Sequence, residues 1–177
     1  MSEIYQPGTA FIVIDMLNDF VLPGAPLEVP NAKDIIPAIK KRLEDARHKM
    51  IPIIYACDSH YKDDIEFNKW PKHAIKGSHG AEVVEELTPE DGDYVIYKRK
   101  YSAFCGTDLN LILRELKIER LILTGVVTDI CVLHTAADGY MLDYEIIIPE
   151  DSCIALSDED QKWALNQAKR LYDAQIV

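Results

Sequence analysis

An open, mostly parallel α/β sheet with helices on both faces is the fold this sequence predicts, and three observations carry the prediction. Short apolar, β-rich runs alternate with helical patterns from one end of the chain to the other. The runs are nearly continuous in apolar residues, as strands covered on both faces have to be. With 177 residues and 48% apolar content, the chain fits one domain, residues 1–177, with enough material for a full core.

The first strand is read at Ala10–Ile14 and the second at Ile51–Ala56. Tyr94–Tyr97, Leu121–Thr124 and Glu145–Ile148 follow, and a short last strand at Ala174–Val177 makes a Rossmann-like sheet of six. Between the first two, Ile35, Ile36, Ile39, Leu43 and Ala46 fall on one stripe of a helix over Ala32–His48. Asn31 is its expected N-cap, and Pro37 is tolerable only within its first turns. Further helices are expected at Ala81–Leu87, Asp108–Leu116, Asp129–Leu142 and Asp158–Leu171. The stretch from Asp58 to Gly80 is irregular, and loops that long inside a compact domain are usually functional.

A formal charge of −11 opposes long-range attraction to phosphate backbones and anionic lipid, which argues against nucleic acid and membranes as partners. No apolar run approaches a membrane span, and Met1-Ser2-Glu3 lacks the basic-then-apolar start of an export signal, so the expected location is the cytoplasm. The four cysteines are accordingly read as free thiols.

In a parallel sheet every strand points the same way, so residues just past successive strands gather along one crevice. Asp15 follows the first strand, Asp58 and His60 the second, Lys98 the third, and the segment leading to Cys131 the fourth. Cys131 is expected in the first turn of a helix capped by Thr128 or Asp129. There the helix N-terminus lowers a thiol pKa and offers N–H donors to an oxyanion. Asp15 ends an apolar strand and needs a cation, which Lys98 supplies. The two form either a structural pair or, with the thiol between them, a general acid–base and a fixed positive charge. Strand alternation turns one of Lys98 and Arg99 away from the site.

Asp58, His60 and His73 form a ligand set suited to Zn²⁺, or to Mn²⁺ or Fe²⁺, with positions left open. Asp63, Asp64 and Glu66 are the candidates for a further ligand. Phe20, Trp70 and Tyr101 flank these positions and are either core aromatics or a slot for a flat ring. Other residues take plainer readings: His48 closes a helix, His134 packs or hydrogen-bonds beside its helix, and His79 sits in a turn. Cys57, Cys105 and Cys153 are small apolar or loop residues, with Cys105 partly exposed.

The segments VIDMLNDF at 13–20, YKRKYSAFCGTDL at 97–109 and TGVVTDICVLHTAADGY at 124–140 resemble the isochorismatase-like cysteine hydrolases over almost the whole chain. Within that superfamily, DSH at 58–60, WPKH at 70–73 and IKGSHG at 75–80 look like the nicotinamidases. The resemblance implies an Asp15, Lys98, Cys131 triad and a metal, zinc first, on Asp58, His60 and His73, with Glu66 as a fourth contributor. It also implies a cis peptide at Val126–Val127, whose amide joins that of Cys131 in an oxyanion hole. The implied reaction converts nicotinamide to nicotinate and ammonia through a Cys131 thioester, in a homo-oligomer acting on small amides. Met141, Leu142 and Tyr144 are either core or interface. One departure is the loop from His60 to Trp70, which is shorter than in many nicotinamidases and lacks their His-Pro elements. The rival readings are the same machinery acting on an N-carbamoyl amide, a ureidoacrylate or isochorismate, and an inactive binding module. Metal content separates the first rival, and the filled triad positions weigh against the second.

Overall fold

The computed structural model describes residues 4–177; Met1 to Glu3, on which the expectation about an export signal rests, lie outside the described residues. Strand β1 (Thr9–Ile14) lies at the centre, between β2 (Ile53–Asp58) and β4 (Arg120–Val126). With β3 (Tyr94–Lys98), β5 (Glu145–Ile148) and β7 (Gln175–Ile176), the order is β3-β2-β1-β4-β5-β7, every pair parallel. The chain winds outward from β1 to one edge and then returns to build the other. This places a topological switch point between β1 and β4, where the crevice of such sheets opens.

The sheet has a seventh strand that the sequence reading lacked. β6 (Cys153–Ile154) pairs with β4 at Gly125 and Val126, beyond the part of β4 that β5 covers. Two residues are too few to show a period.

Helices cover both faces. β1 sends Phe11 and Val13 to one core with Ile39 and Leu43 of α2 (Ile36–His48). Ala10, Ile12 and Ile14 go to the other core. There they meet Leu113 of α3 (Leu109–Glu115), Ala136 of α4 (Leu133–Met141) and Leu165 of α5 (Asp158–Leu171). This is the period-2 alternation of a strand buried on both sides. Tyr144 belongs to this second core, whereas Met141 is exposed. No helix among the described residues is long and apolar enough to cross a membrane.

Three helix expectations are corrected. Asn31 makes no side-chain cap; it is left-handed at φ 61 and leads into a 3₁₀ turn at Ala32–Ile35, after which α2 begins with Pro37 in its first turn. Residues 81–87 form no α-helix. Val84 N–H donates to Met16 O at 3.0 Å and Val83 bridges Leu17, which leaves only 3₁₀ turns at His79–Ala81 and Glu85–Leu87. The helix expected from Asp129 is split into a π-helical turn at Thr128–Val132 followed by α4. A short helix α1 (Asn18–Val21) was not anticipated.

Candidate active site

The ends of β1, β2 and β3 bring three charged groups into contact. Asp58 and Lys98 are register partners on β2 and β3, and Asp15 N–H donates to Ala56 O across β1 and β2. Asp15 Oδ1 accepts from Asp58 N–H at 2.8 Å. Lys98 Nζ stands 2.7 Å from Asp15 Oδ2 and 2.5 Å from Asp58 Oδ1, and 3.6 Å from Cys131 Sγ. All four residues are buried. The approach of β1 to β4 depends on Gly125, at φ 104, because a Cβ there would lie 2.0 Å from Ile14 O. Of the two cations in question, Lys98 points inward and Arg99 turns to Asp64.

Cys131 arrives from the end of β4 through a cis peptide at Val126–Val127 and the π-helical turn. Ile130 and Val132 N–H both donate to Val127 O, at 3.0 and 3.2 Å. The turn has Val127 at its N-cap position, and neither Thr128 nor Asp129 caps it. The expected lowering of the thiol pKa is also corrected. Burial pushes the Cys131 thiol well above its ordinary value, and the pull of Lys98 is opposed by Asp15 and Asp58. The resting group is therefore a thiol, buried beside Lys98 and Asp15. Burial and then Asp58 raise Asp15 to about 6, against the attraction of Lys98. For Asp58, burial acts upward, but Lys98 and the two imidazoles hold it well below the carboxylate range. Burial alone would lower Lys98; its two carboxylates outweigh that and raise it.

On the other side of Asp58 lies a three-residue cluster. One ligand atom each from Asp58, His60 and His73 lie within 4.8 Å of one another. A parallel bridge between His60 and Ile75 folds the loop back, with His60 N–H donating to Ala74 O at 2.9 Å. Both imidazoles are held by Nδ1, His60 to Asp64 Oδ2 at 2.9 Å and His73 to Pro71 O at 2.7 Å. Their Nε2 atoms therefore face Asp58 Oδ2, at 3.5 and 3.8 Å. His60 Nε2 is buried with no hydrogen-bond partner, the state of a nitrogen that offers a lone pair to a cation. These residues fit a divalent metal. Glu66 is outside the cluster and lines the adjacent cleft; Asp64, one of the alternatives, orients His60 instead of joining the cluster.

The cleft holds about 440 Å³, including its part open to solvent, and Cys131, Asp58 and His73 lie along its wall. Phe20, Trp70 and Tyr101 all border it, with Trp70 Nε1–H donating to Tyr101 Oη at 3.0 Å. Phe20 packs against His73 with ring centroids 5.4 Å apart. Sequence reasoning missed Leu27, Val29, Ile130 and Leu156 on the same wall. They sit in loops and turns without a period to mark them. It also missed the Asp64–Arg99 pair behind His60, for which the only signal was alternation at the end of β3. His134 is exposed, donating Nδ1–H to Ile130 O, and Cys105 is the exposed cysteine of the four free thiols.

An α/β hydrolase of the isochorismatase type is the class that this sheet and site define. An Isochorismatase domain matches residues 9–176, and the chain belongs to the isochorismatase family. The N-carbamoylsarcosine amidase of Thermoplasma acidophilum is 40% identical, with a TM-score of 0.88 over 95% of this chain and 94% of that one. Nicotinamidase PncA of Bacillus subtilis is 35% identical, with a TM-score of 0.91 over 96% and 99%. A pyrazinamidase of Pyrococcus horikoshii, solved in complex with zinc, is 32% identical, with a TM-score of 0.90 over 97% and 99%.

Proposed function

We propose that this chain is a nicotinamidase, a metal-assisted cysteine amidohydrolase that releases ammonia from nicotinamide through a thioester on Cys131. The observation that carries the reading is the convergence of His60 Nε2, His73 Nε2 and Asp58 Oδ2 beside the aromatic cleft that Cys131 borders. Likeness to a nicotinamidase and to a zinc-bound pyrazinamidase supports it.

Asp58, His60 and His73 would hold a divalent metal, zinc first and manganese or iron as alternatives, which would supply a Lewis acid beside the cleft. Phe20, Trp70 and Tyr101 hold the flat ring. Asp15, whose burial makes it a stronger base than an exposed carboxylate, takes the Cys131 proton, and Lys98 offsets the charge. The sulfur bonds to the carboxamide carbon as the C=O electron pair moves to oxygen, where the backbone N–H groups of Val127 and Cys131 receive it. Collapse expels the amide nitrogen, which takes the proton from Asp15 and leaves as ammonia. Water, losing a proton to Asp15, then attacks the thioester and releases nicotinate, and Cys131 recovers its proton.

A second reading rests on the likeness to N-carbamoylsarcosine amidase, with the same triad acting on a carbamoyl amide. The test is ammonia release from nicotinamide and from N-carbamoylsarcosine by protein as isolated, metal-stripped and reloaded, with Cys131→Ala as control. Metal-dependent release from nicotinamide that Cys131→Ala abolishes supports the first reading. Metal-independent release from the carbamoyl substrate replaces it with the second. A tenth of the rate retained by Cys131→Ala overturns the nucleophile in both.

A further inference from the structure

We propose that Arg99, acting through Asp64, is a positioning residue that fixes His60 as a metal ligand and so sets the divalent-cation affinity of the Asp58, His60, His73 site. The inference rests on the metal reading of that cluster and goes beyond it to residues that touch neither cation nor substrate.

Asp64 is buried although its neighbours Asp63 and Ile65 are exposed. Its carboxylate gathers four donors. His60 Nδ1 lies at 2.9 Å and Tyr61 N–H at 3.2 Å, and Arg99 reaches it with Nε at 3.0 Å and with a terminal guanidinium nitrogen. An ionised carboxylate only accepts, so His60 Nδ1 carries a proton and Nε2 is the nitrogen left to offer a lone pair to a cation. Nε2 is the nitrogen that faces Asp58 Oδ2, beside the His73 ring.

His73 reaches the same tautomer by a different route. Its Nδ1 faces Pro71 O, a backbone carbonyl that accepts whatever its surroundings. His60 instead depends on a side-chain carboxylate staying in place and charged, and Arg99 is what holds it there. Arg99 follows Lys98 at the end of β3, and the pleat sends the two cations to opposite sides. Lys98 compensates Asp15 and Asp58, while Arg99 compensates Asp64. The guanidinium also lies 4.9 Å from the Tyr61 ring centroid, so the part of it that faces solvent is braced. A carboxylate behind a ligating imidazole fixes the ring and raises its basicity, and its loss typically weakens metal binding about 10–100-fold.

The experiment measures Zn²⁺ affinity of metal-stripped protein by competition with a chromophoric chelator. It adds the visible spectrum of the Co²⁺ form and the melting temperature of the metal-free form. The variants are Asp64→Asn, Arg99→Ala, Arg99→Lys, the Asp64→Asn/Arg99→Ala double variant and Asp63→Asn. Asp64→Asn is expected to lose about 10–100-fold in affinity and to alter the Co²⁺ bands. Arg99→Ala should lose less, and Arg99→Lys should recover part of that loss, because an ammonium restores the charge without the two-pronged contact. The double variant should bind no more weakly than Asp64→Asn alone, which is the signature of Arg99 acting through Asp64. Asp63→Asn removes the same charge from an exposed neighbour and should stay within twofold of the parent. A merely structural role would lower the metal-free melting temperature and leave the affinity of the folded fraction and the Co²⁺ bands unchanged; that result overturns the proposal. Affinities within twofold of the parent for both Asp64→Asn and Arg99→Ala overturn it as well. If the parent protein itself binds no zinc, the metal reading fails and this inference fails with it, whereas a metal-binding parent with indifferent variants removes only the inference.

Discussion

Replacing Gly125 by alanine tests how far the site depends on the seam between β1 and β4. The new Cβ would lie 2.0 Å from Ile14 O and 2.9 Å from Ile14 N and C, where real Cβ atoms essentially never come within 3.0 Å. One backbone must retreat by about 1 Å, and the crowded residue, Ile14, directly precedes Asp15. Alanine at φ 104 adds strain of about 1–3 kcal/mol, and the overpacking adds about 1–3 more. The sum is about 2–6 kcal/mol, and at about 2–4 °C per kcal/mol for a chain of this size the melting point falls roughly 5–20 °C. A shift of about 1 Å in a catalytic group costs about 100-fold in rate. Gly92→Ala is the control, since Gly92 has nearly the same φ, 99, with no atom within 4 Å of the built Cβ. It shares the strain without the crowding and should keep full kcat. Calorimetry and initial rates of ammonia release on both variants decide the matter. If Gly125→Ala melts within 2 °C of Gly92→Ala and keeps half the parental rate, the seam does not set the position of Asp15.

Lys98→Met leaves Asp15 and Asp58 buried together without their cation, so turnover should vanish and urea unfolding should show a loss of about 3–5 kcal/mol; a loss under 1 kcal/mol would contradict the pairing. Trp70→Phe keeps the ring but removes the hydrogen bond to Tyr101 Oη, which is worth about 0.5–1.5 kcal/mol, so KM should rise about 2–10-fold. An unchanged KM would show that this pair does not shape the cleft. Thiol titration of native protein at pH 8 should find one fast cysteine, the exposed Cys105. Burial pushes Cys57 and Cys153 up to about 12, which leaves about one thiolate in 10⁴ at that pH. Cys105→Ser should remove the fast phase and spare activity, and a second fast thiol in the native protein would refute the burial.

What the sequence discloses follows from how local each signal is. Strands buried on both faces have to be apolar throughout, so β1, β2 and β4 stand out as runs, and the residue after each run falls on the crevice. Asp15 and Asp58 were legible for that reason; Lys98 ends β3, an edge strand with Tyr94, Val95 and Tyr97 exposed, and was legible as the cation closing a β-rich run. Cys131 was legible by position, but its thiol pKa was not. The reading weighed the helix N-terminus and its N–H donors, whereas burial beside two carboxylates dominates. Residues 81–87 have helical composition, yet tertiary pairing with Met16 and Leu17 claims their backbone and holds them in turns. Asn31 is a good N-cap by type, but Pro37 delays the helix and leaves Asn31 in a left-handed turn instead. The role of Asp64 could not be chosen over Asp63 or Glu66, because spacing does not say which carboxylate turns inward.

The charges in the buried centre explain why two sites share one wall. Asp15 and Asp58 bring two negative charges, and Lys98 returns one positive, so the four contacting groups carry a net −1 while Cys131 keeps its proton. Moving that proton from sulfur to Asp15 leaves the sum unchanged and transfers negative charge to the thiolate, which Lys98 faces at 3.6 Å. Charge transfer within a fixed total avoids the desolvation that creating a new buried charge would require. The net −1 borders the second oxygen of Asp58, which faces the Nε2 atoms of two imidazoles and, among the described residues, no further Lys or Arg. A divalent cation there answers that deficit. Asp58 thus links the two halves, with one oxygen committed to Lys98 and the thiol chemistry and the other to the imidazole pair. A change at either half should therefore be felt at the other through this carboxylate.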